Sequence, residues 1–331
     1  MPTNTVGALR ISQINNSPLA VCICTFRRPL GLARLLRGLD RQAFNSATGP
    51  QVELVVVDNS PEAGARQAMA DWQGRWPLHY RHEPQPGISH ARNTSLAAVP
   101  VGTAFIAMID DDEEPAENWL QALLSAQAQS GADIIVGPTL PSFPHGTAHW
   151  IAATGFFPKP QNYQSLGELD PDPPAATCNA LLRASLFDDP QLRFDPQLAL
   201  SGGEDKLLFQ DLKLRGHRFA WAADALALEF IPPERATLAY MWREAFRRGS
   251  VKYLVKRRLK ARSGGKAALI ALRLLLRSVG RTLRDAVLLL PALLRGRAAW
   301  VPRVLAIANS LGTCAGVLGV RNRHYRPGNS S

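Results

Sequence analysis

The chain has 331 residues, enough for one large domain and an appendage, because single apolar cores stop growing near ~250–300 residues. Its formal charge of +11 is split: residues 1–242 carry 18 Lys and Arg against 25 Asp and Glu, whereas residues 243–331 carry 20 against 2. Four cysteines (Cys22, Cys24, Cys178, Cys314) give no disulfide framework and no Cys-x-x-Cys zinc pair, so a reducing compartment is expected.

Residues 1–17 lack the basic-then-apolar order of a signal peptide and are expected to form a flexible N-terminus on a chain that stays in the cytoplasm. Strand-length apolar runs then alternate with stretches of helical period: Leu19–Thr25 and Leu30–Gln42, Val52–Val57 and Glu62–Trp72, a strand Leu78–Arg81 and a helix opening near Ser89. The alternation continues with a strand Ala104–Ile109, a helix from Pro115 to Ala128 and a strand Asp133–Val136. Cys22 and Cys24 alternate inside the first run, where small thiols pack as apolar groups. This order predicts an α/β fold, a mostly parallel sheet with helices on both faces, which binds ligands beyond the carboxyl ends of its strands.

Those ends are rich in ligand groups. Thr25-Phe26-Arg27-Arg28-Pro29 follows the first strand, Asp58-Asn59-Ser60 the second, and Asp110-Asp111-Asp112-Glu113-Glu114 the fourth. Five consecutive carboxylates repel one another unless solvent or a cation relieves them. Hard oxygen ligands suit Mg²⁺ or Mn²⁺, which would in turn bind a diphosphate. The same charges also suit the first turn of a helix at Pro115, and both roles can hold together, Glu113 and Glu114 serving the helix and Asp110 and Asp112 the metal. Ser201-Gly202-Gly203-Glu204-Asp205 precedes a helical stretch Lys206–Arg215, where the carboxylates either cap the helix or do chemistry.

Taken together, Val21 through Pro29, Val55 through Ser60, Gly87-Ile88-Ser89-His90-Ala91-Arg92-Asn93, Met108 through Glu113 and Gly203-Glu204-Asp205 resemble, in order, the motifs of the family 2 glycosyltransferases of the GT-A fold. The resemblance covers residues 19–240. It is closest to the glucosyltransferases that extend lipid-linked repeat units of succinoglycan-type exopolysaccharide, through Thr177 to Arg183, Ser201 to Asp205 and Pro232 to Ala239. It implies that Thr25 and Arg27 border the nucleotide, Asp58 reads the base, and Arg92 contacts base or phosphate. Asp110 and Asp112 match the family's Asp-x-Asp, the first nearer the ribose and both at the metal. Asp205 matches the catalytic base, with Glu204 nearer the acceptor.

In an inverting transfer one carboxylate takes the acceptor's proton as its hydroxyl attacks the anomeric carbon opposite the leaving diphosphate. The sequence departs from the family at one point: Leu228 stands where many members carry a metal-binding His, leaving Glu229, or water and diphosphate, to complete the shell. No histidine here has a zinc spacing with another, and none is given a catalytic role.

Beyond a GT-A domain over 18–240, residues 241–331 are expected to form a basic, amphipathic helical region that associates with membrane. Within Lys266–Asp285, Arg273, Arg277, Arg281 and Arg284 fall on one helical face, with Leu269, Ile270, Leu272, Leu276, Val279 and Leu283 on the rest. Such a helix lies at an anionic membrane surface or packs on a core. The charge-free Val304–Val320 is short and carries Asn309, Ser310, Thr313 and three glycines, so it reads as re-entrant, interfacial or packed rather than spanning. Pro138–Pro174, rich in proline and aromatics including Tyr163, is either part of an acceptor site or lid, or ordinary packing.

The expected activity is transfer of a hexose, glucose by the resemblance, from a UDP-type nucleotide-sugar donor to a lipid-diphosphate-linked oligosaccharide at the cytoplasmic face of the membrane. Two other readings compete. A sugar nucleotidyltransferase would want a glycine-rich phosphate loop after the first strand, which Phe26-Arg27-Arg28-Pro29 lacks. A non-catalytic membrane or nucleic-acid binder would use the basic tail alone; no nucleic-acid partner is expected.

Overall fold

A computed structural model describes residues 17–45, 49–159, 176–261 and 267–320. The flexible N-terminus expected over 1–17 lies, but for Ser17, outside the described residues, as do Tyr163 and the rest of 160–175. The elements run β1 (Leu19–Thr25), α1 (Pro29–Asp40), β2 (Val52–Asp58), α2 (Arg66–Ala70), β3 (Leu78–His82), α3 (Ile88–Ala97) and β4 (Phe105–Asp110). Next come β5 (Glu113–Pro115), α4 (Trp119–Ser130), β6 (Ile134–Val136), β7 (Thr139–Ser142), α5 (His149–Ala153) and β8 (Asn179–Arg183). The chain closes with α6 (Glu204–Leu214), β9 (Phe219–Trp221), β10 (Ala227–Phe230), α7 (Leu238–Ala261), α8 (Ala267–Leu293) and α9 (Arg297–Val317).

Seven strands form one sheet in the order β3-β2-β1-β4-β8-β6-β9, parallel except for β8, which runs antiparallel to β4 and β6. The apolar alternation of β1 explains its two packed faces. Leu19, Val21 and Ile23 meet Leu32, Leu35, Leu36 and Leu39 of α1 and the face of α4, while Ala20 and Cys22 meet α3 and α6. Each such leucine, withdrawn from water, contributes ~1.5–3 kcal/mol. Cys22 is 4% exposed and burial pushes its thiol up to about 12, the behaviour of a small apolar group.

The structure corrects two boundaries. Pro115 does not open a helix: Glu113–Pro115 is a strand, antiparallel to β10 in a second, three-stranded sheet β5-β10-β7, and α4 starts only at Trp119. Glu113 and Glu114 are thus on a strand and not at a helix N-terminus. The helix expected over Glu62–Trp72 shortens to Arg66–Ala70, because the preceding residues form a turn held by Asp58.

The change of charge near residue 240 is not a break in packing. A third apolar cluster joins Ile151 and Phe157 to Ile231, Met241, Ala245, Val301, Leu305 and Ala308, and so crosses it. Phe143, Phe156 and Phe157 stack edge to face within it, which places the described aromatics of the 138–174 segment in packing. α9 lies on α7 so closely that a Cβ added at Gly312 would sit 2.0 Å from the Phe246 carbonyl oxygen, and one at Gly249 would sit 2.0 Å from that of Asn309. Most of Val304–Val320 is therefore packed helix. Asn309 donates to the Ala245 carbonyl at 3.1 Å and accepts from Lys252 at 3.0 Å. Among the described residues no helix is long and apolar enough to cross a membrane.

Candidate active site

Parallel β1, β2 and β4 end together, so the residues that follow them share one cavity of about 320 Å³. It is lined by Thr25 and Asp110 to Glu113, by Arg27, Arg28 and Arg92, and, from the C-terminal half of the chain, by Glu229, Arg235, Arg247 and Arg248. The carboxylates are arranged by cations. Asp111 is 5% exposed, takes a hydrogen bond from Thr25 Oγ1 at 2.8 Å and an ion pair from Arg28 Nη1 at 2.9 Å. Burial nevertheless pushes its carboxyl up to about 6, with Arg28 pulling the other way. Asp112 Oδ2 accepts from Arg28 at 2.8 Å and from Arg235 at 2.9 Å. Glu113, 1% exposed, accepts from the Asp110 amide at 3.0 Å, and burial followed by the Asp110 charge holds its carboxyl well above the ordinary range.

Arg92, 8% exposed, links β4 to α6 through an ion pair with Glu204 and a longer one of 3.4 Å to Asp110. Burial opposes its charge, but Glu204, Asp110 and Asp205 more than offset that. Glu204 is 4% exposed and up at about 7 through burial, against the pull of Arg92; its Oε2 has no hydrogen-bond partner. Gly202 and Gly203 make this approach: both have positive φ (77° and 89°), and a Cβ on Gly203 would stand 2.5 Å from Val251 of α7. A side chain there would push α6, and with it Glu204 and Asp205, away from α7.

A second cavity of about 1140 Å³ lies between α6, α7, α8 and α9. Asp205 lines it, while Cys178, Glu229, Glu244, Arg247 and Arg248 line both cavities and form the wall where they meet. Glu229, half-buried in that wall, is up at about 7, by desolvation first and then by Asp112. Glu244 goes the other way: burial would raise it, but Arg247 and Arg248 hold it at about 2.

Of the residues singled out in the sequence, Thr25, Arg27, Arg92, Asp110 and Asp112 reach the first cavity and Asp205 the second. Arg27 sits at φ 55°, a strained setting for a non-glycine residue, fastened by a two-pronged pair to Glu62 at 2.6 and 3.0 Å. Asp58 is 1% exposed, and its oxygens accept from the amides of Ser60 and Ala65 and the Ser60 hydroxyl, so its carboxylate holds the turn after β2 while neighbouring Asn59 faces the cavity. Glu204, expected toward the acceptor, lines neither of these cavities and is turned onto Arg92. Asn179 of the Thr-Cys-Asn motif is structural, donating to the Pro138 and Ala225 carbonyls and accepting from Trp119 Nε1.

Arg28, Arg235, Arg247 and Arg248 received no role from the sequence. The first two stand inside the Phe26-Arg27-Arg28-Pro29 and Pro232-Pro233-Glu234-Arg235 segments, far in sequence from the carboxylates they meet, so nothing local signalled the pairing.

No group of three or more Asp, Glu, His or Cys side chains converges among the described residues. The donor set does fit a mode used by Mg²⁺ and Mn²⁺, one or two carboxylates with the remaining ligands from a diphosphate and water. Asp110 and Asp112, which line the first cavity, are the carboxylates whose chemistry would suit that mode. Beside them burial first, and the Asp112 charge after it, push acids upward, Asp111 to about 6 and Glu229 to about 7.

An α/β sheet whose strand ends gather carboxylates and arginines around one cavity is the plan of a nucleotide-dependent transferase. The Glycosyl transferase family 2 profile matches residues 20–189, and the chain belongs to that family of glycosyltransferases. It is 33% identical over 229 residues to the succinoglycan biosynthesis protein ExoM of Rhizobium meliloti (strain 1021), covering 69% of this chain and 71% of that protein. Its fold is similar to that of residues 1–349 of S. aureus TarS in complex with UDP-GlcNAc (TM-score 0.52) and with UDP (TM-score 0.50), each 14% identical over 94% of this chain and 97% of that one. It spans 39% of the length of the longer TarS chain.

Proposed function

We propose that this glycosyltransferase moves a hexose, glucose in the first instance, from a UDP-type nucleotide sugar to a lipid-diphosphate-linked oligosaccharide in surface-polysaccharide assembly, with inversion at the anomeric carbon, at the cytoplasmic face of the membrane. One observation carries the reading: a small cavity of paired carboxylates and arginines meets, at a shared wall, a larger cavity that contains Asp205. The ExoM relative supports the polysaccharide setting, and the UDP and UDP-GlcNAc complexes of TarS support the donor class.

In this reading the donor occupies the first cavity, with Thr25, Arg27, Asn59 and Arg92 around the nucleotide. Arg28 and Arg235 orient Asp112 and, with Arg248, present guanidinium groups suited to phosphate oxygens. Mg²⁺ or Mn²⁺, held by Asp110 and Asp112, supplies charge neutralisation for the leaving diphosphate. Asp205 accepts the proton of the acceptor hydroxyl as its oxygen bonds to the anomeric carbon. The bond from that carbon to the donor phosphate breaks on the opposite face, and the electron pair leaves with the nucleoside diphosphate. Glu204 and Arg92 set the position of Asp205 by fixing the start of α6 against β4.

The test is incubation of the purified protein with a panel of nucleotide sugars, Mn²⁺ and a membrane-lipid acceptor fraction, following nucleoside diphosphate release. UDP release that needs both donor and acceptor supports the reading. A donor panel that yields no nucleoside diphosphate, or release of pyrophosphate instead, overturns it.

A further inference from the structure

The second cavity has a wall of one sign. Lys206 stands beside Asp205, Lys252 and Lys256 project from α7, and Arg277 and Arg281 from α8. Lys206, Lys256, Arg277 and Arg281 have no ion-pair partner among the described residues, and Lys252 has only the neutral Asn309 oxygen. Glu244, the acid nearest on α7, is already held by Arg247 and Arg248. The crowding is felt: the Lys252 ammonium is lowered by burial first, then by Arg281, Lys206 and Lys256. Cations meant only for solubility would spread over convex surface, whereas these converge on a concave one, where an anion is the natural counter-charge.

α8 shows how such an anion would arrive. Leu274, Ser278, Asp285 and Ala292 face the protein and are buried. At 100° per residue the opposite side carries Leu272, Leu276, Leu283 and Leu290, which are 53%, 65%, 64% and 71% exposed. Arg277 falls on the flank between these two sides and Arg281 at the edge of the buried one, so the helix presents apolar surface outward and cations toward the cavity that Asp205 lines. The cavity, at about 1140 Å³, exceeds the ~300–1,000 Å³ of ordinary small-molecule pockets, with room for sugars as well as phosphates.

We propose that Lys252, Lys256, Arg277 and Arg281 bind the diphosphate of the lipid-linked acceptor, its hydrocarbon leaving along the leucine stripe of α8 and its saccharide directed to Asp205. The assignment rests on the acceptor class proposed above and adds where that acceptor is held.

Farnesyl diphosphate in neutral detergent is the probe, titrated into the full-length protein after the donor cavity has been filled with saturating UDP and Mn²⁺. Binding is expected to persist with UDP present and to weaken at least 10-fold in Lys256→Gln/Arg277→Gln/Arg281→Gln, with UDP affinity unchanged. Farnesol should bind both proteins alike, and Arg277→Lys/Arg281→Lys should retain the diphosphate. Equal farnesyl diphosphate affinity in wild type and the triple variant overturns the proposal, as does displacement of the probe by UDP. So does a loss confined to phosphatidylglycerol vesicles, which would make the wall a headgroup site. A wild-type protein that fails to bind UDP in the first stage counts against the donor reading, while the comparison of the two proteins still reports on the cationic wall.

Discussion

Arg235 donates to Asp112 Oδ2 at 2.9 Å across 123 residues of sequence, on the same oxygen that Arg28 reaches at 2.8 Å. The carboxylate proposed to hold the metal is thus clamped by two arginines from segments far apart in the sequence. Asp112→Ala should abolish metal-dependent donor binding, because the bridge from protein to diphosphate is gone. Calorimetry of UDP binding with Mn²⁺ and with chelator checks this: affinity equal to wild type under both conditions removes Asp112 from the metal site.

Asp205→Asn should leave the fold and UDP affinity intact and lower single-turnover transfer by the ~10²–10⁴-fold typical of losing a general base. A near-normal single-turnover rate would reassign the base. Glu229, on the wall between the cavities, would then be the next residue to vary.

Glu244 gives a pH signature. Its carboxyl is held at about 2, below the ordinary 4.5 it regains on unfolding, so its contribution to stability is present above about 4.5 and is lost as pH falls toward 2. The difference corresponds to at most about 3–4 kcal/mol. Urea midpoints at pH 6.5 and 3.5 should therefore lie closer together in Glu244→Gln than in wild type. Glu204, up at about 7, works in the opposite sense: its share is present below about 4.5 and lost as pH rises through 7.

How much of this was legible beforehand depended on whether the determinant was local. The bounds of β1 and the start of β2 follow from unbroken apolar runs with turn residues beyond them, and the strand-end motifs located the cavity. Pro115 misled because what keeps Glu113–Pro115 extended is β10, more than a hundred residues away, and no neighbouring residue announces it. The antiparallel β8 is equally silent, since Asn179–Arg183 is buried on both faces and reads alike in either direction. Asp58 and Glu204 share a further cause. A motif states which carboxylate is present, while its partners, the amides of Ser60 and Ala65 for one and Arg92 for the other, decide where it points.

Membrane attachment should depend on the outer side of α8. Leu272→Gln/Leu276→Gln/Leu283→Gln is expected to release the protein from phosphatidylglycerol vesicles in flotation without lowering its melting temperature, since all three side chains are more than half exposed. High salt should weaken only the share due to arginine. Unchanged flotation of the triple variant would move the attachment site elsewhere.

Two glycines in the C-terminal helices should respond oppositely to alanine. Gly280 of α8 has nothing within 4 Å of an added Cβ, so Gly280→Ala should stabilise by up to ~1 kcal/mol through helix propensity. Gly312→Ala, which drives a methyl into the Phe246 carbonyl, should destabilise by ~1–3 kcal/mol, and equal melting shifts for the two would refute the close α7–α9 crossing.

That crossing also fixes a length. Gly312 meets the carbonyl of Phe246 and Gly316 that of Ser250, one helical turn further along each partner. A single residue inserted between Gly312 and Gly316 would turn the remainder of α9 by 100° and carry Gly316 off the contact. Along this seam the spacing of the glycines is as binding as their identity, and relatives that keep the second cavity should keep the four-residue interval with it.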